Sequence, residues 1–410
     1  MTSPYIDEER WPRLVAAPHS RFMGRRAEAV TARMEALLSS HGIALDAGTV
    51  PHMVVRDGQV IDRVVAEGWL GLAEGYMAGE WSAEPLPEVL GALMDQPFEG
   101  KFGEFFARRT SKRRGPVPGE LPEALVELYA GATRATGAAQ FNSASRTSTH
   151  EDGIDFTWFG EPDPVERLDL DDAQRRRINT MLDEAEVGPG DHVLEMPSSG
   201  GQLAVQAAKR GARVDVLTSD EDHADAVRAR VHTAGVGGAV NVEVIAGPVP
   251  SPRQWSGRYE AIFSVERMET LGLGGLSHYL KAVDRMLSDD GLAVIQSIIA
   301  TDDMRETARE SLDVIRAYVW PALEYPTVQQ VREAAAEHTQ LTVVAENNLS
   351  AHLRATLPLW RANFLSRERQ AAAAGFDPVF RHLWDYQLAL HEALATSEDI
   401  GCVQFVLAPK

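Results

Sequence analysis

Short apolar runs alternate with helical patterns between residues 191 and 301. The runs read HVLEM, RVDVLTS, VNVEVIA, EAIFSV and LAVIQSII, and each has the length of a buried strand. Helical patterns cover Leu203–Lys209, Glu221–His232 and His278–Leu287. Strands that alternate with helices are joined by right-handed crossovers into a parallel sheet with helices on both faces. The pattern therefore predicts an α/β fold, a Rossmann-like, doubly wound and mostly parallel sheet.

The region before this pattern has a different character. Residues 1–107 mix helical patterns with a strand-turn-strand signal at His52–Val65, where Asp57-Gly58 is typical of a hairpin turn. They are predicted to form a small α+β domain that associates with lipid. Residues 108–120 combine basic side chains with Gly and Pro, which predicts a linker.

Residues 121–410 are assigned to the α/β domain. Residues 137–153 are rich in small polar residues and predict a long loop. Long helical patterns at about 305–395 predict a lid inserted over the cleft. The segment CVQFVLA (402–408) predicts a terminal antiparallel strand.

The charge balance limits the partners. Sixty acidic residues against forty basic ones give a formal net charge of −20, which argues against nucleic-acid binding. The single cysteine, Cys402, allows neither an internal disulfide nor a multi-cysteine metal site, and no metal is predicted. Neither a signal peptide nor a membrane-spanning run is evident, so the expected location is the cytoplasm, at most at the inner face of the membrane.

The basic run at residues 108–114 has two interpretations. As a solvated linker it has no function beyond connection. Alternatively, Lys112, Arg113 and Arg114 contact anionic phospholipid headgroups, which would give a peripheral membrane contact.

A glycine-containing turn follows the first strand of the α/β domain. Glu195 ends the strand, and Ser199, Gly200 and Gly201 lead into a helix. Such a turn allows the backbone to approach a nucleotide or S-adenosylmethionine, while the carboxylate accepts from ligand hydroxyls. Thr218 and Ser219, at the end of the second strand, are predicted to line the same site. The alternative interpretation is an ordinary strand-to-helix turn without a ligand.

Several longer blocks resemble one family. They are EGWLGLAEGYMAGEWSAEPLPEVL (67–90), GPGDHVLE (188–195), FSVERMETLG (263–272), YLKAVDRMLSDDGLAVIQSI (279–298), LPLWRANF (357–364) and GFDPVFRHLWDYQLALHEA (375–393). Together they resemble the cyclopropane-fatty-acid synthases and mycolic-acid methyltransferases from about residue 50 to the end.

The resemblance implies chemistry on lipids. Members use S-adenosylmethionine to methylate the double bond of an unsaturated acyl chain, and a base, in many members a bound bicarbonate, removes a proton afterwards. Glu269 matches the catalytic glutamate of the family, and Glu266 forms an acidic pair with it. Gln296 stands where members carry histidine or glutamine. The resemblance also implies a homodimer, or a heterodimer with an intact paralogue.

The chain departs from the family at several positions. Pro197 and Ser199 replace two glycines of the cofactor loop, and proline removes an N–H. The stretch DFTWF lacks the cysteine that helps to hold bicarbonate, and Leu353 stands at the position of a catalytic tyrosine. These departures put S-adenosylmethionine binding in question.

Three functions remain open at this point. The departures favour a non-catalytic subunit that binds phospholipid acyl chains or pairs with an active relative. The retained acidic residues favour an active S-adenosylmethionine-dependent C-methyltransferase. A third hypothesis is an enzyme that works without S-adenosylmethionine on another ligand. The acidic pair is either solvated or buried with shifted pKa values, the latter being typical of a working site.

Overall fold

The computed structural model describes residues 6–18, 24–45, 49–98, 120–150 and 153–410. The chain divides into two compact units. The first unit is drawn from residues 1–117, 303–321 and 364–399, and the second from residues 118–302, 322–363 and 400–410. The predicted headgroup contacts Lys112, Arg113 and Arg114 lie outside the described residues.

The described residues form helices and strands whose bounds, in chain order, are as follows. The helices are α1 (Gly24–Ser40), α2 (Gln59–Met77), α3 (Leu86–Leu93), α4 (Glu123–Ala130), α5 (Leu170–Glu184), α6 (Gln202–Lys209), α7 (Glu221–Thr233), α8 (Gly272–Met286), α9 (Glu306–Ser311), α10 (Asp313–Tyr318), α11 (Val328–His338), α12 (Ser350–Ser366), α13 (Glu368–Ala373) and α14 (Pro378–Thr396). The strands are β1 (Ala44–Leu45), β2 (His52–Val55), β3 (Trp81–Glu84), β4 (Ser145–Thr149), β5 (Asp155–Phe159), β6 (His192–Glu195), β7 (Arg213–Thr218), β8 (Val240–Val244), β9 (Tyr259–Val265), β10 (Leu287–Ala300), β11 (Leu341–Asn348) and β12 (Ile400–Pro409).

The first unit contains a three-stranded sheet in the order β1-β2-β3. The predicted hairpin at His52–Val65 is wrong in its second half, because α2 begins at Gln59 and β2 pairs instead with β3. Val60 and Val64 are four residues apart and both fully buried, which is helical spacing rather than strand alternation.

Helix α2 bends at Gly68, whose φ of +56° is unfavourable for residues with a side chain. Beyond the bend, a Cβ atom at Gly71 would lie 2.0 Å from the carbonyl oxygen of Arg63. Both positions therefore require glycine, and both lie in the block on which the family resemblance rests.

The segments assigned from sequence to a lid are divided differently in the structure. Residues 303–321 and 364–399 group with the first unit, where α14 packs against α2 and α3. Helix α14 buries residues on most of its surface, including Trp384 and Tyr386. A helix buried all round belongs to a core rather than to a one-sided cover.

The second unit contains the predicted α/β sheet. Nine strands follow the order β4-β5-β11-β12-β10-β9-β6-β7-β8, and the five strands β10, β9, β6, β7 and β8 are parallel to one another. Strand β12 is antiparallel to both β10 and β11, which confirms the predicted terminal strand. Within the predicted loop at 137–153, residues Ser145–Thr149 instead form β4 and pair with β5.

Hydrophobic clusters cover both faces of this sheet. One includes Leu276 and Tyr279 of α8 and Val331 of α11, and the other includes Ile178 of α5 and Val227 of α7. Strand β6 lies between β7 and β9, so the chain leaves β6 in one direction and later returns on its other side. Ligands bind at such a switch point, at the carboxyl ends of the strands.

None of the helices in the described part of the chain is long and apolar enough to cross a bilayer.

Candidate active site

The loop after β6 is hydrogen-bonded to the carboxylate of Glu195, the last residue of that strand. Glu195 is buried, and its Oε1 accepts from the backbone N–H of Ser199 at 2.5 Å and from the Ser199 hydroxyl at 2.7 Å. Its Oε2 accepts from the N–H of Ala204 in α6 at 3.2 Å. Burial raises the pKa of Glu195, while the bonds from Ser199 oppose that shift. Glu195 therefore fixes the loop and the first turn of α6.

The two glycines of this loop have backbone conformations that suit glycine. Gly200 has φ of +104° and Gly201 has φ of +77°. A Cβ atom at Gly200 would lie 2.6 Å from the carbonyl oxygen of Arg134, and one at Gly201 would lie 2.8 Å from Val227. The segment that contains Arg134 thus lies directly against the loop.

The end of β7 is occupied by another acidic side chain. The N–H and the hydroxyl of Ser219 donate to the two carboxylate oxygens of Glu120 at 3.2 and 3.1 Å. The hydroxyl of Thr218 accepts from the N–H of Asp220 at 3.1 Å. Ser219, which the sequence assigns to the cofactor, is therefore engaged by the protein itself in this structure.

Other polar groups beside the loop have no partner in the described part of the chain. His223, in the first turn of α7, is only 6% exposed, and neither of its ring nitrogens forms a hydrogen bond. It lies close enough to Glu195 to lower the pKa of that carboxyl group. Arg230 Nη1 and Thr133 Oγ1 are likewise buried without partners. Because buried polar groups are normally satisfied, these residues fit a polar ligand such as S-adenosylmethionine at the loop.

A second group of residues surrounds the end of β9. Glu266 has φ of +51°, which is unusual for a residue with a side chain. Its backbone N–H donates to the carbonyl of Gln296 in β10 at 2.7 Å. Its Oε1 accepts from the N–H of Ala138 at 2.6 Å and from Nε2 of Gln296 at 3.0 Å. Burial raises the pKa of Glu266.

Glu269 lies deeper in the same place. It is 2% exposed, and its Oε2 accepts from the hydroxyl of Ser297 at 2.8 Å while its Oε1 accepts from the N–H of Ile298 at 3.2 Å. Burial, reinforced by the charge of Glu266, raises the pKa of Glu269 to about 8. Both acidic side chains are therefore withdrawn from bulk solvent to different degrees, and neither is a freely solvated surface carboxylate.

Gln296 is held in one orientation by a second glutamine. Its Oε1 accepts from Nε2 of Gln404 in β12 at 3.0 Å, so that its own Nε2 faces Glu266 and the carbonyl of Ala138. Nearby, Arg177 is fully buried and donates to the carbonyl of Thr136 at 2.9 Å. Burial lowers the pKa of Arg177 to about 10, which leaves the side chain cationic at neutral pH.

Residues 136–141 form a segment without regular structure, which we call the strap. Its backbone groups are bound by side chains of α5, β10 and α12 and by Glu266, which follows β9. The bonds are Gln174 to Gly137 O, Gln296 to Ala138 O, Ala138 N to Glu266, Ala139 N to Thr356, and Phe141 N to His352. The strap is therefore a loop, as the sequence predicts for residues from 137 onward, and its hydrogen bonds fix it in place beside the site.

His352 does not act as a base toward its serine neighbour. Its Nδ1 accepts from the N–H of Phe141 at 2.9 Å, so the ring proton is on Nε2, which faces the Ser143 hydroxyl at 3.1 Å. Burial lowers the pKa of His352 to about 4. The imidazole is neutral at physiological pH and serves to hold the strap.

Arg267 lies between the two carboxylates in the sequence. Its side chain is 6% exposed, and its Nε lacks a partner in the described chain. Burial lowers the pKa of Arg267, while the charges of Glu120 and Glu269 counteract this. It supplies a second positive charge to the site, beside that of Arg177.

The structure thus brings the predicted residues into two groups. Glu195, Ser199, Gly200 and Gly201 form the loop group, whereas Glu266, Glu269 and Gln296 form the group at the ends of β9 and β10. Sequence reasoning missed the residues Glu120, Ala138, Arg177, His223, Arg267 and Gln404. Only His223 carried a usable signal, because it lies in the first turn of the helix that follows β7. In the described residues, no group of three His, Cys, Asp or Glu side chains is arranged to hold a metal ion.

Proteins of known function resemble this chain in sequence. The family model described as mycolic acid cyclopropane synthetase matches residues 158–405. The tuberculostearic acid methyltransferase UfaA1 of Mycobacterium tuberculosis is 28% identical over 427 aligned residues, which cover 99% of this chain and 96% of that protein. The cyclopropane-fatty-acyl-phospholipid synthase of Escherichia coli K12 is 22% identical and covers 91% of each chain.

Solved structures share the fold. The cyclopropane synthase MmaA2 from Mycobacterium tuberculosis superposes with a TM-score of 0.58 at 19% identity, over 70% of this chain and 94% of that one. The mycolic acid cyclopropane synthase CmaA1, complexed with SAH and CTAB, gives a TM-score of 0.57 at 20% identity, over 69% and 93%. At these identities the likeness concerns the fold alone.

Proposed function

The chain belongs to the mycolic acid cyclopropane synthetase family, and on that premise we propose that it is an S-adenosylmethionine-dependent C-methyltransferase of unsaturated lipid acyl chains. The full-length similarity to a tuberculostearic acid methyltransferase supports this proposal, since it extends over 99% of the chain and both of its units.

The methyl donor would be held by the loop group. When bound, S-adenosylmethionine supplies an electrophilic methyl group on a sulfonium. Gly200 and Gly201 would give it backbone contact, and His223 would offer two unpartnered ring nitrogens to its polar groups. Glu195 keeps the loop in place through Ser199 rather than binding the ligand directly.

The observation that carries the proposal is the carboxylate arrangement at the end of β9. Glu266 and Glu269 follow β9, which pairs with β6, the strand before the cofactor loop, and both are fixed by groups of β10. Methylation of an alkene leaves a cation that must lose a proton, and a low-polarity site with a positioned carboxylate serves that purpose. The residues lost from the family pattern are thus offset by a carboxylate held in place by Ala138 and Gln296.

A second candidate function is favoured because side chains of the protein itself already bind polar groups of the predicted cofactor site. The donors of Ser219 are bound by Glu120, those of Ser199 by Glu195, and Arg134 lies against Gly200. If these contacts persist in solution, the protein is a non-catalytic subunit that binds acyl chains or pairs with an active homologue.

Titration calorimetry separates the two functions. We expect S-adenosylhomocysteine to bind the purified protein at micromolar concentration. The substitution His223→Ala should weaken that binding at least tenfold. A matched control is His232→Ala, since His232 lies on the exposed side of the same helix. Absence of heat with millimolar ligand would reject the methyltransferase proposal and favour the non-catalytic subunit.

A further inference from the structure

The two carboxylates of the site differ in how their oxygens are used. In Glu269, each oxygen already accepts a hydrogen bond, one from Ser297 and one from Ile298. In Glu266, both donors converge on Oε1, namely the N–H of Ala138 and the amide of Gln296. Among the described residues, none donates to Oε2 of Glu266. Glu269 is therefore bonded through both oxygens, whereas Oε2 of Glu266 accepts no hydrogen bond from the described residues.

From this difference we infer that Glu266, rather than Glu269, is the catalytic base of the proposed methyl transfer and receives the proton on Oε2. The inference rests on the proposed function and assigns a role within it. Glu269, which matches the catalytic glutamate of related enzymes, acts here as a positioning residue that holds Ser297 and Ile298 near the carboxyl end of β10.

The proposed reaction transfers a methyl group to the acyl double bond and then a proton to Glu266. The π electrons of the acyl double bond form a new C–C bond to the incoming methyl group, and the electron pair of the broken C–S bond leaves with the thioether. The neighbouring alkene carbon is then cationic. Glu266 Oε2 takes a proton from the added methyl group, and the released C–H electrons close a three-membered ring. If the proton instead comes from an adjacent carbon of the acyl chain, the same step gives a methyl-branched alkene.

The backbone at Glu266 is arranged for this purpose. A left-handed conformation at a non-glycine residue has an energetic cost and is common at functional sites. Here it directs the side chain to Ala138 and Gln296 while the backbone N–H remains bonded to β10. Gln404 fixes the amide of Gln296, so the bonded oxygen of Glu266 cannot exchange roles with the free one without breaking both contacts.

The charges around Glu266 are consistent with a base. The titratable groups whose electrostatic influence involves Glu266 are Arg177 on α5, Tyr129 on α4, Glu269 after β9, and Cys402 on β12. Arg177 is the cation among them and favours the ionised carboxylate, whereas burial opposes ionisation. A carboxylate with a raised pKa is a stronger base than usual, and Arg177 favours the ionised form that can accept a proton.

The experiment compares conservative variants in the full-length protein. Glu266→Gln keeps an oxygen that can accept from Ala138 and Gln296, so the strap keeps its anchor while the base is removed. Glu269→Gln is the matched test of the alternative base, and Glu243→Gln on the exposed part of β8 is the control. The readouts are the rate of lipid methylation with methyl-labelled S-adenosylmethionine, the affinity for S-adenosylhomocysteine, and the pH profile of the rate.

The expected result is a loss of about 10²–10⁴-fold in the methylation rate of Glu266→Gln, with ligand affinity within threefold of the wild type. Glu269→Gln should lose less rate and keep the acidic limb of the pH profile, which Glu266→Gln should lack. Wild-type rates in Glu266→Gln, or a larger loss in Glu269→Gln, would overturn the inference while leaving the proposed function intact. A wild-type protein that binds the ligand and forms no methylated lipid would overturn both.

Discussion

Nε2 of Gln296 lies 3.0 Å from Oε1 of Glu266, and Oε1 of the same glutamine lies 3.0 Å from Nε2 of Gln404. The three side chains form a chain of hydrogen bonds in which Gln404 donates to Gln296 and Gln296 donates to Glu266. Because every member is buried or half-buried, the loss of one leaves its neighbours without partners.

Replacement of Gln296 by leucine is expected to destabilise the second unit. Glu266 Oε1 and Gln404 would each lose one hydrogen bond, and the cost of such buried unpaired groups is about 1–3 kcal/mol. Urea denaturation monitored by circular dichroism measures this change. Gln329→Leu, on the exposed surface of α11, is the control and should change the free energy of unfolding by less than about 0.5 kcal/mol. Equal stability of the two variants would contradict the prediction.

Replacement of Glu120 by alanine is expected to strengthen ligand binding at the predicted cofactor site. The carboxylate occupies both donors of Ser219, and its removal leaves them free for a ligand hydroxyl. A gain of one hydrogen bond, about 1 kcal/mol, corresponds to roughly fivefold tighter binding of S-adenosylhomocysteine. Calorimetry with Glu243→Ala as control checks this. Weaker binding in Glu120→Ala would show that Glu120 supports the ligand instead of competing with it.

The stability of the second unit is expected to fall as the pH rises from about 5.5 to 8.5. The pKa of Glu269 is raised from an ordinary value of 4.5 to about 8, so the folded protein retains a proton that the unfolded chain has lost. A raised carboxyl pKa stabilises the fold at low pH, and this contribution disappears as the pH passes the folded pKa. The carboxyl groups of Glu195 and Glu266 have pKa values shifted in the same direction.

Differential scanning fluorimetry across this pH range tests the assignment. The melting temperature of the wild type should decline toward pH 8.5, and Glu269→Gln should show a shallower decline. Parallel curves for the two proteins would mean that Glu269 titrates near its ordinary pKa.

The basic run offers a prediction from charge alone. Replacing Lys112, Arg113 and Arg114 by glutamine should reduce sedimentation with anionic phospholipid vesicles at low salt, since each basic side chain near such a surface contributes about 1 kcal/mol. Vesicles of neutral phosphatidylcholine are the control and should give no difference. Unchanged sedimentation with anionic vesicles would leave these residues as a linker only.

The sequence predicted the sheet well because its signals are local. Apolar runs of strand length, separated by helical patterns, define β6 to β10, and HVLEM and EAIFSV lie where β6 and β9 are found. The predicted hairpin at His52–Val65 was wrong because it relied on the turn signal at Asp57-Gly58 and not on the four-residue spacing of Val60 and Val64. That spacing decides the structure, since both valines are buried in the first unit.

The site was predicted only in part because its partners are distant in the chain. Glu266 and Gln296 were identified from their block, but Ala138 contributes a backbone N–H and has no side-chain signal. Arg177 resembles a surface residue in the run of three arginines that contains it, yet it is fully buried beneath the strap. Long-range hydrogen bonds of this kind depend on tertiary packing, which local patterns do not encode.

The central claim is that this chain methylates the double bonds of lipid acyl chains. Its most direct test is mass spectrometry of phospholipids with cis-unsaturated chains after incubation with the purified protein and S-adenosylmethionine carrying a deuterated methyl group. The account predicts lipids that gain one labelled carbon, as CD2 in a cyclopropane ring or as CD3 in a methyl branch, formed in proportion to protein and about 10²–10⁴-fold more slowly with Glu266→Gln. Lipids that remain unlabelled, although S-adenosylhomocysteine binds the protein, would contradict it.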